Sequence, residues 1–290
     1  MSWRTVVISR PAKLDYKLEY MVVRRDTTTE VHLSEIGTLI LETTAISITA
    51  SLLVELMKRK VKVILCDEKR NPCAEMVSYY GAHDTSAKVR KQIKWSQDVK
   101  EMIWTEIVTE KINKQRDLLH RLRKEEANLL AQYINEIEPG DKTNREGHAA
   151  KVYFNALFGM RFTRTADIAI NAALNYGYGI ILSAINREIT ANGYITQLGL
   201  FHDNMFNPFN LGSDFMEPFR VLIDKTVYQM QPESFTSEEK MRLVDILNQE
   251  VIIDGKRSHV TNAIKIYCKS VFDALNERDV SLIRFFYYEL

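Results

Sequence analysis

Apolar residues near the amino terminus recur at the short spacing that is typical of β-strands. Strands are predicted at residues 5–9, 18–24, 29–33, 38–42, 61–66 and 74–80, with turn-like residues at 11–13 and 25–29 between them. Between Ile46 and Lys60 the apolar residues change to helical spacing. The first 80 residues therefore predict a small β-sheet or β-sandwich-like domain with one helix.

The pattern changes to a 3.6-residue period after the segment GAHDTS at 81–86, which is typical of a linker. Helices are predicted at residues 87–110, 112–137, 144–158, 166–190, 214–229, 236–249 and 258–276. Strands followed by helices, without alternation, predict an α+β protein of two units. We expect a β-rich domain at 1–80, a linker at 81–86 and a larger all-α domain at 87–290.

The chain is large enough and apolar enough to bury a substantial core. It has 290 residues, of which 46% are hydrophobic. The most membrane-like segment, residues 168–185, contains two asparagines, two tyrosines and two glycines, so we interpret it as a buried core helix.

Cysteine usage favours a reducing compartment. Cys66, Cys73 and Cys268 form no C-x-x-C pair, which disfavours both a disulfide framework and a cysteine-rich zinc site. The residues after Met1 include no apolar run typical of a signal peptide. We therefore expect a cytoplasmic protein.

Charge is concentrated in one segment of an otherwise balanced chain. The net charge is +1, from 39 Lys and Arg against 38 Asp and Glu. Between Lys88 and Lys124, however, eleven basic residues stand against five acidic ones. Such a segment is either a solvated helix face or a surface that follows nucleic-acid phosphates, and both readings stay open. The DNA-binding candidates within it are Lys88, Arg90, Lys91 and Lys94.

A polar loop carries side chains that suit a metal ion. The stretch GLFHDNMFNPFNLGSDFMEPFR at 199–220 holds a histidine, three asparagines and three acidic residues, a composition better suited to a site than to a core. Carboxylates, with an occasional imidazole, are the ligands of Mg²⁺ and Mn²⁺. Glu146, His202 and Glu217 could supply that set. Asp214 would support them, because it lies three residues before Glu217 on one helix face.

Structural roles for the same residues stay open on spacing alone. Thr143 and Glu146 form a capping-box pattern, which would make Glu146 only a helix-start residue, and Asp214 and Glu217 imitate that pattern. A lone loop histidine such as His202 commonly bonds to backbone. The separations of 56 and 15 residues between the three candidates match no short metal motif.

Four blocks of sequence carry a more specific signal. They are REGHAAKVYFNALFG at 145–159, NAALNYGYGIIL at 171–182, GLFH at 199–202 and SDFMEPFRVLID at 213–224. In this order the blocks resemble the CRISPR adaptation integrase family, in its type II branch. The segment HLSEIGTLILE at 32–42 and the helix after it also resemble the family's β-domain, so the resemblance spans most of the chain.

The resemblance implies an assignment of site residues. It places the family's metal-binding and catalytic triad on Glu146, His202 and Glu217, and a second acidic position of variable role on Asp214. Some branches of the family carry Asp where this sequence has Glu217, a change that keeps a carboxylate ligand.

Other polar residues in these blocks receive simpler interpretations. Asn171, Asn175 and Tyr178 belong to the family signature, and we interpret them as hydrogen-bonding residues of the helical core. His148 is interpreted as a solvent-facing helix residue. Cations that could position DNA phosphates around the scissile bond are Arg145, Lys151, Arg161, Arg164 and Arg220.

The chemistry implied by the resemblance is a transesterification on DNA. The 3′-hydroxyl of a short spacer duplex attacks a phosphodiester at the end of a CRISPR repeat, so one phosphodiester is exchanged for another. Mg²⁺ or Mn²⁺ would neutralise charge on the phosphate and activate the hydroxyl. No side chain needs to become covalent, in agreement with the lack of a G-x-S-x-G pattern in the sequence.

The resemblance also implies a set of partners in a prokaryotic cytoplasm. They are double-stranded DNA, a second copy of the chain, a small companion adaptation protein that bridges two dimers and, in type II systems, the RNA-guided effector nuclease and a ring-forming DNA-end-binding protein. Because unpaired strand edges invite pairing, the β-rich domain is the expected dimerisation domain and the helical one the catalytic domain.

Two other functions stay open. A plain metal-dependent DNA endonuclease would use the same ion and replace the 3′-hydroxyl with water. A non-catalytic DNA-binding scaffold would use Glu146 and Glu217 only to cap helices.

Overall fold

The structure, a computed structural model, describes residues 4–68, 70, 72–76 and 82–288. Its first part contains β1 (Arg4–Ile8), β2 (Ala12–Lys17), β3 (Tyr20–Arg24), β4 (Thr28–His32), β5 (Ile36–Leu41), β6 (Ile46–Ile48), α1 (Ala50–Lys58), β7 (Lys62–Cys66) and β8 (Pro72–Met76).

These strands pair into two sheets that share an apolar core. One sheet has the order β1-β5-β7-β8, with β8 antiparallel to β7 and the other pairs parallel, and the second has the order β4-β3-β2-β6. Leu14 and Met21 from one sheet, Leu39 and Val63 from the other and Leu52 from α1 are fully buried in one cluster. The predicted small β-rich region with one helix is confirmed.

Two local predictions in this region are wrong. The turn predicted at 11–13 is replaced by the start of β2, since Pro11 fixes an extended entry and Ala12 pairs with Ile46. The helix predicted from Ile46 begins only at Ala50, because residues 46–48 form β6. Residues 77–80 of the last predicted strand and residue 81 of the predicted linker lie outside the described residues.

The rest of the described chain is mostly helical. The helices are α2 (Thr85–Ile93), α3 (Gln97–Arg121), α4 (Glu126–Asn135), α5 (Arg145–Phe158), α6 (Ala169–Ala191), α7 (Asn210–Met216), α8 (Arg220–Met230), α9 (Ser237–Val244) and α10 (Val260–Glu277). The strands β9 (Glu250–Ile253), β10 (Lys256–His259) and β11 (Phe286–Tyr287) form a small sheet with the order β10-β9-β11.

The helical part differs from its prediction in several places, among them a break at 122–125 inside the helix predicted at 112–137 and a 3-10 turn at Glu217–Phe219 inside the helix predicted at 214–229. The expectation of an all-α region missed the sheet of β9, β10 and β11. The boundary predicted at residue 111 is wrong, since α3 continues through it and the break lies at 94–96. A charged residue at a buried position, Lys111, hides the continuous apolar stripe of α3. Finally, α2 begins at Thr85, inside the predicted linker.

The main core forms around α6 and α3. Leu174, Ile181 and Ile185 on α6 are fully buried, as are Ile103 and Ile107 on α3. The interpretation of residues 168–185 as core is therefore confirmed. No helix in the described part of the chain is both long enough and apolar enough to cross a membrane.

The sheet that contains β7 packs directly on the helices. Ile40 and Ile64 from this sheet belong to the helical core. Glu75 on β8 forms an ion pair with buried Lys62 and accepts a hydrogen bond from Ser183 of α6 at 3.1 Å. These contacts hold the sheet against the helices.

Candidate active site

Glu146 lies in the first turn of α5, which two preceding side chains cap. Asn144 adopts a left-handed conformation, with φ of 52°, and accepts a hydrogen bond from a first-turn N–H. Buried Asp141 accepts hydrogen bonds from the N–H groups of Arg145 at 2.8 Å and Glu146 at 3.0 Å. The capping box predicted from Thr143 is therefore wrong, because Asn144 is the N-cap and the Glu146 carboxylate makes its contacts elsewhere.

Glu217 lies where α7 ends and the chain passes through a 3-10 turn into α8. Pro218 follows it and lacks an amide donor, which interrupts the regular helix at this point. The Glu217 side chain is 1% exposed, and its Oε1 lies 2.9 Å from Arg220 Nη2. Burial opposes ionisation, but the charges of Arg220 and Lys111 hold the pKa of Glu217 below its usual range.

Asp214 and His202 form a second pair. Asp214 lies inside α7 rather than at a cap, and its buried carboxylate accepts hydrogen bonds from the N–H groups of Leu200, Phe201 and His202. His202 Nδ1 lies 2.6 Å from Asp214 Oδ1. A carboxylate that accepts these bonds selects the tautomer with a proton on Nδ1, which leaves Nε2 with the lone pair. This bond is the main cause that raises the pKa of His202.

The three asparagines of the loop hold its backbone in place. Asn204 accepts a hydrogen bond from the N–H of Phe206 at 2.9 Å, and Asn207 from that of Phe209 at 3.0 Å. Asn210 is buried and bonds the backbone of Asn204 through both its amide oxygen and its amide nitrogen. The loop is thus a fixed support beside His202.

A stack of aromatic rings supports the histidine from α3. Phe201 lies parallel to Trp104, with 4.7 Å between ring centroids and 3° between planes. His202 meets Trp104 edge-on at 5.8 Å. Trp104 is buried, and therefore anchors the loop onto α3.

The Lys111 ammonium lies between the two glutamates. Its Nζ forms ion pairs with Glu146 Oε1 and with Glu217 Oε2, the latter at 2.5 Å. Burial opposes the charge of the ammonium, but Glu217 and Glu146 raise the pKa of Lys111 above its usual range. Two carboxylates from distant parts of the chain therefore converge on one cation position.

The structure brings Glu146 and Glu217 together around Lys111, but it does not arrange the predicted ligands as the coordination shell of a metal ion. Within residues 4–68, 70, 72–76 and 82–288, no three His, Cys, Asp or Glu side chains are arranged to hold a metal ion between them. After the hydrogen bond to Asp214, the charges of Glu217 and Glu146 also raise the pKa of His202, so these side chains are within electrostatic reach. The triad of Glu146, His202 and Glu217 stays a prediction.

Comparison with known proteins identifies the family of this chain. Residues 5–250 match the family model described as CRISPR associated protein Cas1. The chain belongs to the Cas1 family. It is 33% identical over 271 residues to the CRISPR-associated endonuclease Cas1 of Neisseria meningitidis serogroup C (strain 8013), an alignment that covers 91% of this chain and 89% of the relative. The resemblance found in the sequence is confirmed, and the chain is an enzyme of this family.

Solved structures share the Cas1 fold at low sequence identity. A Cas1 protein from Thermotoga maritima has a TM-score of 0.77 at 15% identity and covers 94% of this chain and 97% of its own. A casposase bound to integration product has a TM-score of 0.78 at 16% identity, with 97% and 92% coverage. A Cas6-RT-Cas1–Cas2 complex matches with a TM-score of 0.75 at 18% identity, over 97% of this chain and 36% of the other chain.

A buried polar cluster lies behind Glu217 in this Cas1 fold. The Arg220 guanidinium packs over the Tyr178 ring, 4.6 Å from its centroid. Tyr178 donates a hydrogen bond to Asp224, and Tyr153 donates another at 3.0 Å. Arg220 therefore joins the Glu217 carboxylate to a rigid group of buried side chains.

Two of the cations predicted to contact DNA, Arg164 and Arg220, are bonded to neighbouring side chains. Arg164 donates hydrogen bonds to Asn171 and Asn175, each at 2.7 Å, and Asn171 holds two backbone carbonyls as well. The interpretation of Asn171 as a hydrogen-bonding core residue is confirmed, because its side chain is buried, whereas that of Asn175 is wrong, because Asn175 is exposed. Arg220 is occupied by Glu217. Contact of Arg164 or Arg220 with phosphate stays a prediction.

The remaining DNA-binding candidates lie at or near the surface. Arg145 pairs with Glu136 at 3.1 Å, and Lys88 lies 3.8 Å from Asp84. The exposed cations of this set are Arg90, Lys91, Lys94, Lys151 and Arg161. His148 is exposed on α5, as predicted.

Lys111 and Asp141 are site residues that the sequence reasoning missed. Lys111 was counted only as part of the basic segment, although it falls on the buried stripe of α3 that contains Ile107 and Val108. A lysine at a core position of a long helix is the signal that could have found it. Asp141 follows Gly140 in a turn, and its spacing to α5 gave no comparable signal.

Proposed function

We propose that this Cas1-family enzyme is a metal-dependent DNA integrase of CRISPR adaptation, which joins the 3′-hydroxyl ends of short spacer DNA to the repeat array by phosphodiester transesterification. The observation that carries the proposal is the convergence of Glu146 and Glu217 on one cation position, beside the His202–Asp214 pair. The curated relative named an endonuclease and the casposase bound to integration product support this chemistry.

The donor set fits a hard divalent cation. Two carboxylates already surround a positive charge, and carboxylate oxygens are the ligands that Mg²⁺ and Mn²⁺ prefer. His202 is held through Nδ1 by a carboxylate, the arrangement common for metal-binding histidines, which leaves Nε2 for a metal. Glu146, Glu217 and His202 would hold the ion. A bound ion would stabilise charge on the phosphate and favour the ionised 3′-hydroxyl.

The chain's own residues position these groups. Asp214 fixes the orientation of the His202 ring, and Arg220 fixes one oxygen of Glu217 so that the other faces the cation position. Asp141 holds the start of α5 and with it Glu146. The reaction needs no covalent enzyme intermediate, so positioning and charge are sufficient roles for the protein.

The proposed partners follow from the two joins that spacer insertion requires. One active site joins one strand end, so we propose a homodimer and a bridge by a small companion protein. The matched complex that contains Cas1 and Cas2 supports this arrangement. In type II systems, the RNA-guided effector nuclease and a ring-forming DNA-end-binding protein are further proposed partners.

The test compares strand joining with hydrolysis on one labelled duplex. The duplex carries a 3′-hydroxyl in one sample and a 3′-dideoxy end in the other, and is mixed with Mn²⁺ and a plasmid that contains a CRISPR repeat. The integrase should join the hydroxyl duplex to the repeat and leave the dideoxy duplex unjoined. Cleavage of both duplexes without joining would instead establish a plain endonuclease.

Variants separate catalysis from a scaffold role. Glu146→Gln and Glu217→Gln should abolish joining and keep DNA binding, measured by gel shift. Glu106→Gln is the matched control, because Glu106 is a partly buried glutamate of α3 away from the two carboxylates. Full joining by both site variants would show that Glu146 and Glu217 are not catalytic, and DNA binding by the wild type with neither joining nor cleavage would favour the non-catalytic scaffold.

A further inference from the structure

Lys111 occupies a position that is costly for a cation without partners. It lies on the buried stripe of α3 and is 7% exposed. A buried ammonium is tolerated only when it is paired and hydrogen-bonded. Both of its partners are the carboxylates that the proposed function assigns to a metal ion.

We propose that Lys111 is a tethered counter-ion, which neutralises Glu146 and Glu217 in the metal-free enzyme and is displaced from between them by a divalent cation. This inference rests on the proposed function and adds an internal competitor for the metal. It gives Lys111 a role in metal loading rather than in the chemical step.

The charges of Glu146, Glu217, Lys111 and Arg220, called here the charge cluster, explain why a counter-ion is needed. Two glutamates face two cations, Lys111 and Arg220, so the charge cluster has no net charge in the metal-free enzyme. Without Lys111, two carboxylates would share one partner in a buried place, and like charges at close range repel strongly. The enzyme can therefore keep its site assembled before metal arrives.

The two cations of the charge cluster, Lys111 and Arg220, differ in how firmly they are held. Arg220 is fixed by Glu217 Oε1 and by the Tyr178 ring, 4.6 Å from its guanidinium. Lys111 contacts the other oxygen of Glu217 and lies on a flexible stem. The side chain of Glu146 is 20% exposed, against 1% for Glu217, so a cation can enter and the ammonium can withdraw on the Glu146 side. Lys111 is therefore the cation that gives way.

The experiment measures Mn²⁺ binding to the full-length protein by calorimetry. Lys111→Met removes the competitor and should tighten Mn²⁺ binding by about tenfold or more. It should also lower the unfolding temperature in EDTA and increase the rise that Mn²⁺ produces. Lys111→Arg keeps the charge and should not tighten binding.

The matched control is Lys114→Met, three residues further along the same helix. Lys114 is equally buried but pairs with Glu110 and with the carbonyl of Phe286, not with the two site carboxylates. This variant should lose stability and bind Mn²⁺ with the wild-type affinity. A gain in affinity for both lysine variants would overturn the specific role of Lys111.

The outcomes distinguish this inference from the proposed function. If wild type binds Mn²⁺ and Lys111→Met binds it equally or more weakly, the counter-ion role is refuted and the metal site survives. If neither protein binds Mn²⁺, both the counter-ion role and the proposed metal-dependent function are refuted. If Lys111→Met does not fold, a crystal structure of the wild-type protein with Mn²⁺ tests the displacement of the ammonium directly. The ammonium must then have left at least one carboxylate, and contact with both beside a bound ion would refute the role.

Discussion

Asp224 makes the stability of this chain depend on pH. Its side chain on α8 is 1% exposed and accepts hydrogen bonds from Tyr153 and Tyr178, with the charges of Arg220 and Arg164 nearby. Burial raises the pKa of Asp224 from 3.8 to about 6, although these four groups oppose the shift. The folded state therefore binds this proton more tightly than the unfolded state does.

The sign and size of the effect follow from linkage. A raised carboxyl pKa gives a stability contribution that is fully present below pH 4 and is lost as the pH rises through about 6. The shift corresponds to about 3 kcal/mol in total, of which about 2 kcal/mol is lost between pH 4.5 and 7.5. Asp224→Asn has a similar volume and stays neutral, so it lacks this loss.

The assay is thermal unfolding of both proteins at pH 4.5, 6.0 and 7.5. The unfolding temperature of Asp224→Asn relative to wild type should rise by about 4 °C from the lowest to the highest pH. Tyr153→Phe removes a hydrogen bond that favours the ionised carboxylate, and should move the loss to higher pH. A temperature difference between wild type and Asp224→Asn that is constant across this range would show that the reasoning is wrong.

Two further predictions concern packing and helix capping. Gly212→Ala should lower the free energy of unfolding by about 2 kcal/mol, because the added methyl would lie 2.1 Å from Asn186 Oδ1. The control Gly179→Ala adds a methyl that meets nothing within 4 Å and should leave this free energy unchanged. Urea unfolding measures both variants. Asp141→Asn should cost about 1 kcal/mol and reduce strand joining, since the N–H of either Arg145 or Glu146 loses its acceptor. Unchanged urea midpoints for Gly212→Ala and Asp141→Asn would contradict these assignments.

The periodicity of the chain was enough to predict its two-part architecture. Strands before residue 80 and helices after 85 follow from the change in apolar spacing, and α5 and α10 were placed within two residues of their observed ends. The strands β9, β10 and β11 could not be recognised, because each has at most four residues and β11 pairs from a distant part of the chain. Short strands are stabilised by tertiary pairing more than by local pattern.

Spacing alone could not assemble the candidate site. Glu146 and Glu217 were selected as carboxylates, but only folding shows that both reach Lys111. The capping pattern at Thr143 failed because a left-handed Asn144 begins α5 one residue later. The function of Asp214 as the partner of His202 depends on a loop that returns to α7, which no local rule predicts.

Helix α3 fixes the spacing between the two halves of the site, the histidine loop and the pair of glutamates. Trp104 supports the histidine loop and Lys111 lies between the glutamates, seven residues apart and therefore on nearly the same face. One inserted residue between them would turn the second position by about 100° around the helix axis. An insertion or deletion in this two-turn interval of α3 would therefore separate the support of the histidine loop from the cation position between the glutamates.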